Sequence, residues 1–141
     1  MRGDATDAER TMKVKDDFLP LVGPEAPTVE VHPGEVLFAK GDKALAMYVV
    51  RSGRLEIFDG GTVYETVGPG QIIGEMAMID DEPRSANVRA IEECLVVPID
   101  RKRFVTMVER TPTFAIRVMR VLVQRLRALH ELQLKLAAKG R

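Results

Sequence analysis

The sequence lacks the residues that would cross-link the chain or carry it through a membrane. Cys94 is the only cysteine among 141 residues, so no disulfide can form within the chain. No apolar run approaches the ~18 residues needed to span a bilayer, and the N-terminal MRGDATDAER has no apolar core of a signal peptide. We therefore expect a cytoplasmic protein that does not enter membranes, with Cys94 as a buried structural thiol.

Net charge is also lacking, but the balance is uneven along the chain. Lys and Arg number 21, and so do Asp and Glu. Between Arg110 and Arg141 there are eight basic residues and one acid, Glu131, so this segment carries +7 and residues 1–109 carry −7. A basic segment of this kind can face nucleic acid, an anionic membrane or solvent, and the charge pattern leaves all three open.

Glycine is concentrated in one stretch of the chain. Eight of the eleven glycines lie within residues 34–74, where they separate short segments rich in Val, Ile, Tyr and Phe. This punctuation predicts an antiparallel β-barrel or sandwich. The clearest hairpin joins Leu55–Phe58 to Thr62–Val67 through an Asp-Gly-Gly turn, because glycine tolerates the positive φ of a tight turn. Two further strands are predicted at Ala86–Ala90 and Cys94–Pro98.

Helical patterns flank the glycine-rich region. Residues 4–22 have the apolar spacing of a modest helix. Asp100 can cap a helix over Arg101–Glu109 by accepting from its first free amides, and Thr111-Pro112 predicts the cap and first residue of a long helix that ends near Ala138. The predicted organisation within one domain is an N-terminal helical segment and linker (1–28), a β-barrel (29–99) and two C-terminal helices (100–141).

The long helix repeats its core positions at alternating steps of four and three. These positions are Ala115, Met119, Leu122, Leu126, Leu129, Gln133 and Leu136. Three heptads of this pattern are typical of a coiled-coil seam, which predicts a homodimer formed through this helix. Further apolar residues such as Val118 and Leu132 widen the stripe, so one end of the helix can pack on the barrel and the other on a partner. Packing wholly within one monomer is the alternative.

The segment from Gly74 to Val88, GEMAMIDDEPRSANV, carries the groups that a small phosphorylated ligand needs. Glu75–Ile79 can form one helical turn whose free amides point at a cavity. Arg84 supplies a planar fork that can grip two phosphate oxygens, and Ser85 adds a hydroxyl beside it. The glutamate of the turn can only accept, so it needs a donor such as a ribose hydroxyl. Together these groups indicate a nucleotide that lies against a β-barrel.

With these residues the chain resembles the cyclic-nucleotide-binding domain family. Gly74-Glu75-Met76-Ala77 and Pro83-Arg84-Ser85-Ala86 are similar to the two halves of that family's phosphate-binding cassette, and the similarity extends from about Val29 to Leu129. The resemblance implies a double-stranded β-helix (jelly-roll) barrel with an N-terminal helix and two C-terminal helices. It also implies a regulatory module that binds cAMP or cGMP and has no catalytic activity and no cofactor.

Carried over position by position, the resemblance implies a role for each part of the cassette. The candidate ligand-binding residues are Gly74, Glu75, Met76, Ala77, Arg84, Ser85 and Ala86. Glu75 takes the ribose 2′-hydroxyl and Arg84 pairs with the cyclic phosphate, while Ser85 and the amides around Met76 and Ala77 complete the phosphate cradle. The alternative is a barrel in which Arg84 and Glu75 pair only with each other across an empty pocket.

Base recognition does not carry over from the family in the same way. Catabolite activators of this family contact adenine through two hydroxyl residues on the long helix, and Leu129 and His130 occupy those positions here. Leu129 is a candidate apolar lid over the base, whereas His130 is more typical of a surface histidine beside a heptad seam. Ser85 is chemically close to the threonine of the family's cGMP-dependent kinases, and Asn87 also resembles those kinases, but the catabolite activators that bind cAMP have serine at the first position too. The resemblance therefore favours cAMP over cGMP and leaves the choice open.

Several function classes fit parts of the sequence. In the favoured hypothesis, a cyclic nucleotide sensor closes its two C-terminal helices over the ligand and signals to an effector protein that the sequence does not identify. The alternative is a transcription-regulator-like protein that binds nucleic acid through the basic C-terminal helix, although no helix-turn-helix domain follows that helix here. We expect no enzyme activity, because no metal-ligand cluster and no nucleophile and base pair are found. The acidic run at residues 80–82 and the separated His32 and His130 predict no metal site.

Overall fold

The structure consists of two antiparallel sheets with helices packed at one side. The computed structural model describes residues 17–140, and within them the strands are β1 (Val29–Val31), β2 (Val36–Phe38), β3 (Ala46–Ser52), β4 (Leu55–Asp59), β5 (Thr62–Val67), β6 (Ile72–Ile73), β7 (Asn87–Ala90) and β8 (Cys94–Asp100). One sheet has the order β1-β8-β3-β6 and the other β2-β7-β4-β5. The predicted mainly β fold is confirmed, but the hydrogen bonds form two sheets rather than one closed barrel.

Strand β8 runs past the end predicted for it at Pro98. Val29–Val31 pair with the first residues of β8, from Cys94 to Val96, whereas Pro98 pairs only with Tyr48 of β3. Proline cannot donate to a ladder and is tolerated where one side of a strand is unpaired. Pro98 therefore lies within β8 without interrupting it.

The predicted hairpin of β4 and β5 is confirmed, and it brings a carboxylate into the interior. Asp59 pairs with Thr62, so the two residues between them form the turn, with Gly60 at φ +59°. Successive side chains on a strand point to opposite faces. Glu65 and Val67 therefore lie on the same, inner face of β5, and both are buried.

The helices are α1 (Leu19–Val22), α2 (Met76–Asp80), α3 (Arg101–Arg110) and α4 (Pro112–Lys139). The predicted helix over residues 4–22 is wrong at Asp17 and Phe18, which are not helical, and its residues 4–16 lie outside the described part of the chain. Pro20 has no amide hydrogen, so it leaves no donor without an acceptor in the first turn of a helix. The Asp17 carboxylate accepts a hydrogen bond from the Leu19 amide at 3.0 Å. The helix therefore begins at Leu19.

The starts of the two C-terminal helices follow the prediction in part. The Asp100 carboxylate accepts from the Arg103 amide at 2.8 Å, as expected for the cap of α3. Pro112 is the first residue of α4, but the Thr111 side chain caps no amide. Among residues 17–140, none of the helices has both the length and the apolar character that crossing a bilayer requires.

Two clusters of buried apolar side chains stabilise this arrangement. One lies between the sheets and includes Leu55, Val67 and Val88. The other joins the first sheet to α3 and α4 through Phe104 and Phe114, whose rings meet edge to face with centroids 5.6 Å apart. Burial of each such ring contributes about 1.5–3 kcal/mol. The first turns of both helices are therefore fixed against the sheet.

Helix α4 uses different faces for the sheets and for solvent. Phe114, Val118 and Val121 are buried against the first sheet. Of the predicted seam, Met119, Leu126, Leu129 and Leu136 are exposed. The monomer therefore leaves most of the predicted seam uncovered, although Leu122 of the seam packs against the cluster that joins α4 to the first sheet.

Candidate functional site

The segment from Gly74 to Ala86, called the cassette below, begins at a backbone turn that favours glycine. Gly74 has φ +78°, and a Cβ atom built on it would lie 2.5 Å from Nη1 of Arg84. Glu75 follows at the N-cap position of α2, so the predicted helical turn is confirmed with a shift of one residue. The first amides of a helix have no acceptor within that helix. The amides of Met76 and Ala77 hold these first positions.

Arg84 is the buried arginine of the cassette, with only 6% of the residue exposed. Its Nη1 donates to the carbonyl oxygen of Gly74 at 3.1 Å, and Nη2 donates to that of Ala46. The guanidinium carbon lies 3.9 Å from the centroid of the Phe38 ring, in cation–π geometry. Nε of Arg84 is buried and has no acceptor among residues 17–140.

Glu75 is bound by Arg125 of α4. Nη1 of Arg125 donates to Oε1 of Glu75 at 2.7 Å, and Glu75 is only 2% exposed. Nε and Nη2 of Arg125 donate to the two carboxylate oxygens of Glu65 at 2.8 and 3.0 Å, and Nη2 also donates to the carbonyl oxygen of Ile72 at 2.6 Å. The alternative in which Glu75 pairs with Arg84 is therefore wrong, because the partner of Glu75 is Arg125.

The two buried arginines differ in how their charges are compensated. Burial lowers the pKa of Arg84, and the interactions with Tyr48, Glu75 and Asp42 offset this only in part. Burial also acts to lower the pKa of Arg125, but the contacting carboxylates Glu75 and Glu65 outweigh it and the pKa is raised. Arg84 bonds to neutral carbonyl groups, so its buried positive charge still favours an anion.

The remaining predicted residues of the cassette differ in how far they are exposed. Ala77 is buried in α2, whereas Met76 is 48% exposed. Ser85 is exposed and Ala86 is half-buried in the turn that leads from Arg84 into β7. The structure therefore brings Gly74, the start of α2 and Arg84 together, with Ser85 at the edge.

The residues considered for base recognition lie on α4 and at the start of β7. Leu129 is 44% exposed, about one helical turn beyond Arg125, and His130 is exposed. The side-chain amide of Asn87 bonds two backbone groups instead: it accepts at 2.9 Å and donates at 3.2 Å. Asn87 therefore has a structural role that its residue type did not suggest.

Three site residues were not predicted from the sequence: Phe38, Glu65 and Arg125. Glu65 follows the inward alternation of β5 with Val67, so a charged residue at an inward position was the available indication. Arg125 continues the spacing of the buried Val118 and Val121 at steps of three and four along α4. Glu65 and Arg125 are thus charged residues on otherwise apolar faces, and this was the indication that the sequence offered for each.

The far end of α2 is attached to α3. Arg101 donates to the carbonyl oxygens of Ala77 at 2.8 Å and Met78 at 3.0 Å, and to the Asp81 carboxylate at 2.8 Å. The acidic run at residues 80–82 thus contacts a cationic side chain. In the described part of the chain, no three or more His, Cys, Asp or Glu side chains are grouped so that they could hold a metal ion.

Known proteins are similar to the part of the chain that contains the cassette. The family model for the cyclic nucleotide-binding domain matches residues 28–111, which include the whole cassette. Lysophospholipase nte1 of Neurospora crassa is 33% identical over 105 residues, 71% of this chain and 7% of that protein. The cyclic AMP receptor protein of Thermus thermophilus is 32% identical over 99 residues, 67% of this chain and 46% of that protein. The chain therefore spans less than half the length of these relatives.

A solved structure matches the fold as well. The crystal structure of the Thermus thermophilus catabolite activator protein has a TM-score of 0.70 and 29% identity, and the match covers 80% of this chain and 55% of that one. The expected jelly roll with flanking helices is confirmed by this similarity. Since the family model covers more than half of the sequence, the chain belongs to the cyclic nucleotide-binding domain family.

Proposed function

We propose that this chain is a non-catalytic sensor that binds cAMP or cGMP and signals to a partner by rearranging its C-terminal helices. One observation carries the proposal: Arg84 is buried, its Nη atoms donate to neutral carbonyl oxygens, and its buried Nε lacks an acceptor among the described residues. An unbonded buried donor on a charged group costs free energy that a bound anion removes. A cyclic phosphate is such an anion.

The neighbouring groups suit the rest of a nucleotide. The first amides of α2, at Met76 and Ala77, and the hydroxyl of Ser85 can donate to phosphate oxygens beside Arg84. Of the two carboxylate oxygens of Glu75, Oε1 is the one that accepts a hydrogen bond from Arg125. The other carboxylate oxygen can accept from a ribose 2′-hydroxyl. Leu129, one turn further along α4, is the proposed lid over the base.

The contact between Glu75 and Arg125 supplies a route from ligand to helix. Arg125 belongs to α4 and Glu75 to the cassette, so a ligand that bonds Glu75 changes an interaction that fixes α4 to the sheets. A ligand shifts such an equilibrium by the difference between its affinities for the two arrangements. In this proposal residues 1–28 are an N-terminal segment and linker, residues 29–99 form the receptor and residues 100–141 form the moving lid. The proposed location of the protein is the cytoplasm.

The exposed seam of α4 supports a homodimer. Leu126 and Met119 are 68% and 54% exposed, although both are large apolar side chains at heptad positions. A second copy of α4 would cover them in the way that coiled-coil seams pack. The proposed partner of this helix is therefore another copy of the chain, and the effector contacted by the dimer is a separate protein.

Calorimetric titration with cAMP and with cGMP tests the ligand. We expect saturable heat for the wild type, and at least a roughly tenfold loss of affinity in Arg84→Ala, because a hydrogen bond between charged groups is removed. Arg89→Ala is the matched control: Arg89 lies 4.0 Å from the Phe58 ring and pairs with Glu56, but it does not contact the cassette. No heat with either nucleotide at millimolar concentration would refute the proposal.

Two assays address the other function classes. Incubation with cAMP followed by nucleotide chromatography should yield no AMP if the chain is a sensor alone. A gel shift tests binding of nucleic acid by the basic segment, which we expect to be absent at low salt, where phosphate contacts are strongest. AMP formation, or a shift that weakens steeply with salt, would replace the sensor proposal with the corresponding alternative.

A further inference from the structure

Arg125 binds both Glu65 and the sugar-binding candidate Glu75, but it donates more hydrogen bonds to Glu65. Glu65 receives two hydrogen bonds, from Nε and Nη2, and Glu75 receives one, from Nη1. The side chains of Glu65 and Arg125 are 10% and 14% exposed. A fork that faces one carboxylate with two parallel donors is the strongest and most directional arginine geometry. Glu65, together with the carbonyl oxygen of Ile72 that also accepts from Nη2, therefore fixes the orientation of the guanidinium.

This orientation decides how much of Glu75 remains available. With its Nε and Nη2 edge on Glu65, Arg125 reaches Glu75 through Nη1 alone and bonds only Oε1. If Glu65 did not hold that edge, the fork could turn and face Glu75 with two donors. Both oxygens of Glu75 would then be engaged by Arg125, and a ligand hydroxyl would have to compete with a buried ion pair.

We propose that Glu65 is a positioning residue that keeps one oxygen of Glu75 free for the sugar hydroxyl of the nucleotide. It acts through Arg125 and does not touch the ligand. The inference rests on the proposed function, since it explains how the same site selects a ribose. Its consequence is that recognition of the 2′-hydroxyl depends on a carboxylate on β5, outside the cassette.

The test compares the affinities of cAMP and 2′-deoxy-cAMP by calorimetry. The wild type should prefer cAMP by roughly tenfold or more, the effect expected for a hydrogen bond to a charged group. In Glu65→Gln the preference should fall to within about twofold, because the freed fork of Arg125 covers Glu75. The double variant Glu65→Gln with Arg125→Lys should regain most of the preference, since an ammonium is a point charge without a planar fork.

Glu56→Gln is the matched control. Glu56 lies on β4 and pairs with Arg89 at 2.6 Å, so the variant loses an ion pair in the same sheet. Glu56 is opposite Thr66 of β5, so its side chain lies on the face of the sheet opposite to that of Glu65. Its preference for cAMP should equal that of the wild type. If Glu65→Gln does not fold, Glu65→Asp keeps the charge on a shorter side chain and should give an intermediate preference.

The outcomes separate this inference from the function on which it rests. A wild-type preference retained in full by Glu65→Gln or Glu65→Asp overturns the role of Glu65 alone. Equal loss of preference in Glu56→Gln also overturns it, because the effect would then come from general destabilisation. A wild type that binds neither nucleotide overturns the proposed function, and this inference with it.

Discussion

The carbonyl oxygen of Gly74 accepts a hydrogen bond from Nη1 of Arg84 at 3.1 Å, and the missing side chain of Gly74 makes this approach possible. A Cβ atom on Gly74 would lie 2.5 Å from Nη1 and 3.4 Å from the Phe38 ring. The residue also has φ +78°, which L side chains adopt at a cost. The glycine thus allows Arg84 to occupy its buried position in the cassette.

Gly74→Ala should weaken nucleotide binding and destabilise the fold. The added methyl group displaces Arg84, and the backbone strain costs about 1–3 kcal/mol. Gly34→Ala is the control, because Gly34 has φ +83° but an added methyl group would meet no atom within 4 Å, so this variant isolates strain from the clash. Thermal unfolding temperatures should fall in both variants, whereas calorimetric affinity should fall only in Gly74→Ala. Equal affinities in the two variants would contradict this account of Gly74.

The aromatic ring of Phe38 orients Arg84 through its contact with the guanidinium. The 3.9 Å approach to the ring stabilises the cation by about 0.5–2 kcal/mol. Phe38→Leu should therefore lower nucleotide affinity several-fold, and Phe38→Tyr, which keeps an aromatic face, should preserve most of it.

The matched control for that change is Phe58→Leu. Phe58 supports Arg89 at 4.0 Å in the same type of contact, on a different part of the second sheet. Titrations of the three variants should show a loss of affinity in Phe38→Leu alone. A comparable loss in Phe58→Leu would mean that sheet stability, and not the orientation of Arg84, determines affinity.

Local features of the sequence were enough to predict most of the fold. The two-residue turn of β4 and β5 and the Asp100 cap of α3 depend on neighbouring residues, and both are confirmed. The start of α1 was misplaced, because Pro20 suits a first helical turn as well as a helix end. Such ambiguities involve one element and cost only a few residues of accuracy.

The site was harder to predict because its contacts join distant parts of the chain. Arg125 lies 60 residues from Glu65 and 50 from Glu75, and no local pattern links those pairs. Glu75 and Arg84 were found because their spacing belongs to one short motif. The alternative that they pair only with each other was wrong, because Arg125 of α4 is the partner of Glu75. The sequence contained every participant, but the packing of α4 on β5 and β6 selected the partners.

Leu126 tests whether the seam of α4 holds two copies together. It is 68% exposed at a heptad position, so Leu126→Glu should place a charge within the interface and convert a dimer into monomers. Light scattering after size-exclusion chromatography measures the mass. Leu134→Glu is the control, because Leu134 is 58% exposed on the same helix but is not a seam position. A wild type that is monomeric at high concentration, or dissociation by both variants, would refute a specific seam.

His32 provides a pH-dependent contribution to stability that is independent of the ligand site. Its Nδ1 bonds the Glu93 carboxylate, and its Nε2 lies 3.9 Å from Glu30. The hydrogen bond and charge of Glu93 raise the pKa of His32 above its ordinary value of 6.5, with smaller contributions from Glu35 and Glu30. A raised pKa means that the folded state holds the proton more tightly, so the stabilisation is complete below pH 6.5 and is lost as pH rises through the folded-state value.

Melting temperatures of the wild type and His32→Gln should therefore converge as pH increases from below 6.5 to above the raised pKa of His32. At the acidic end the wild type should be the more stable protein, because only it has the charged pair with Glu93. His130→Gln changes the second histidine of the chain, which lies on α4, and its melting temperatures should follow those of the wild type across the range. A difference between wild type and His32→Gln that does not change with pH would show that the ring contributes through packing and not through its charge.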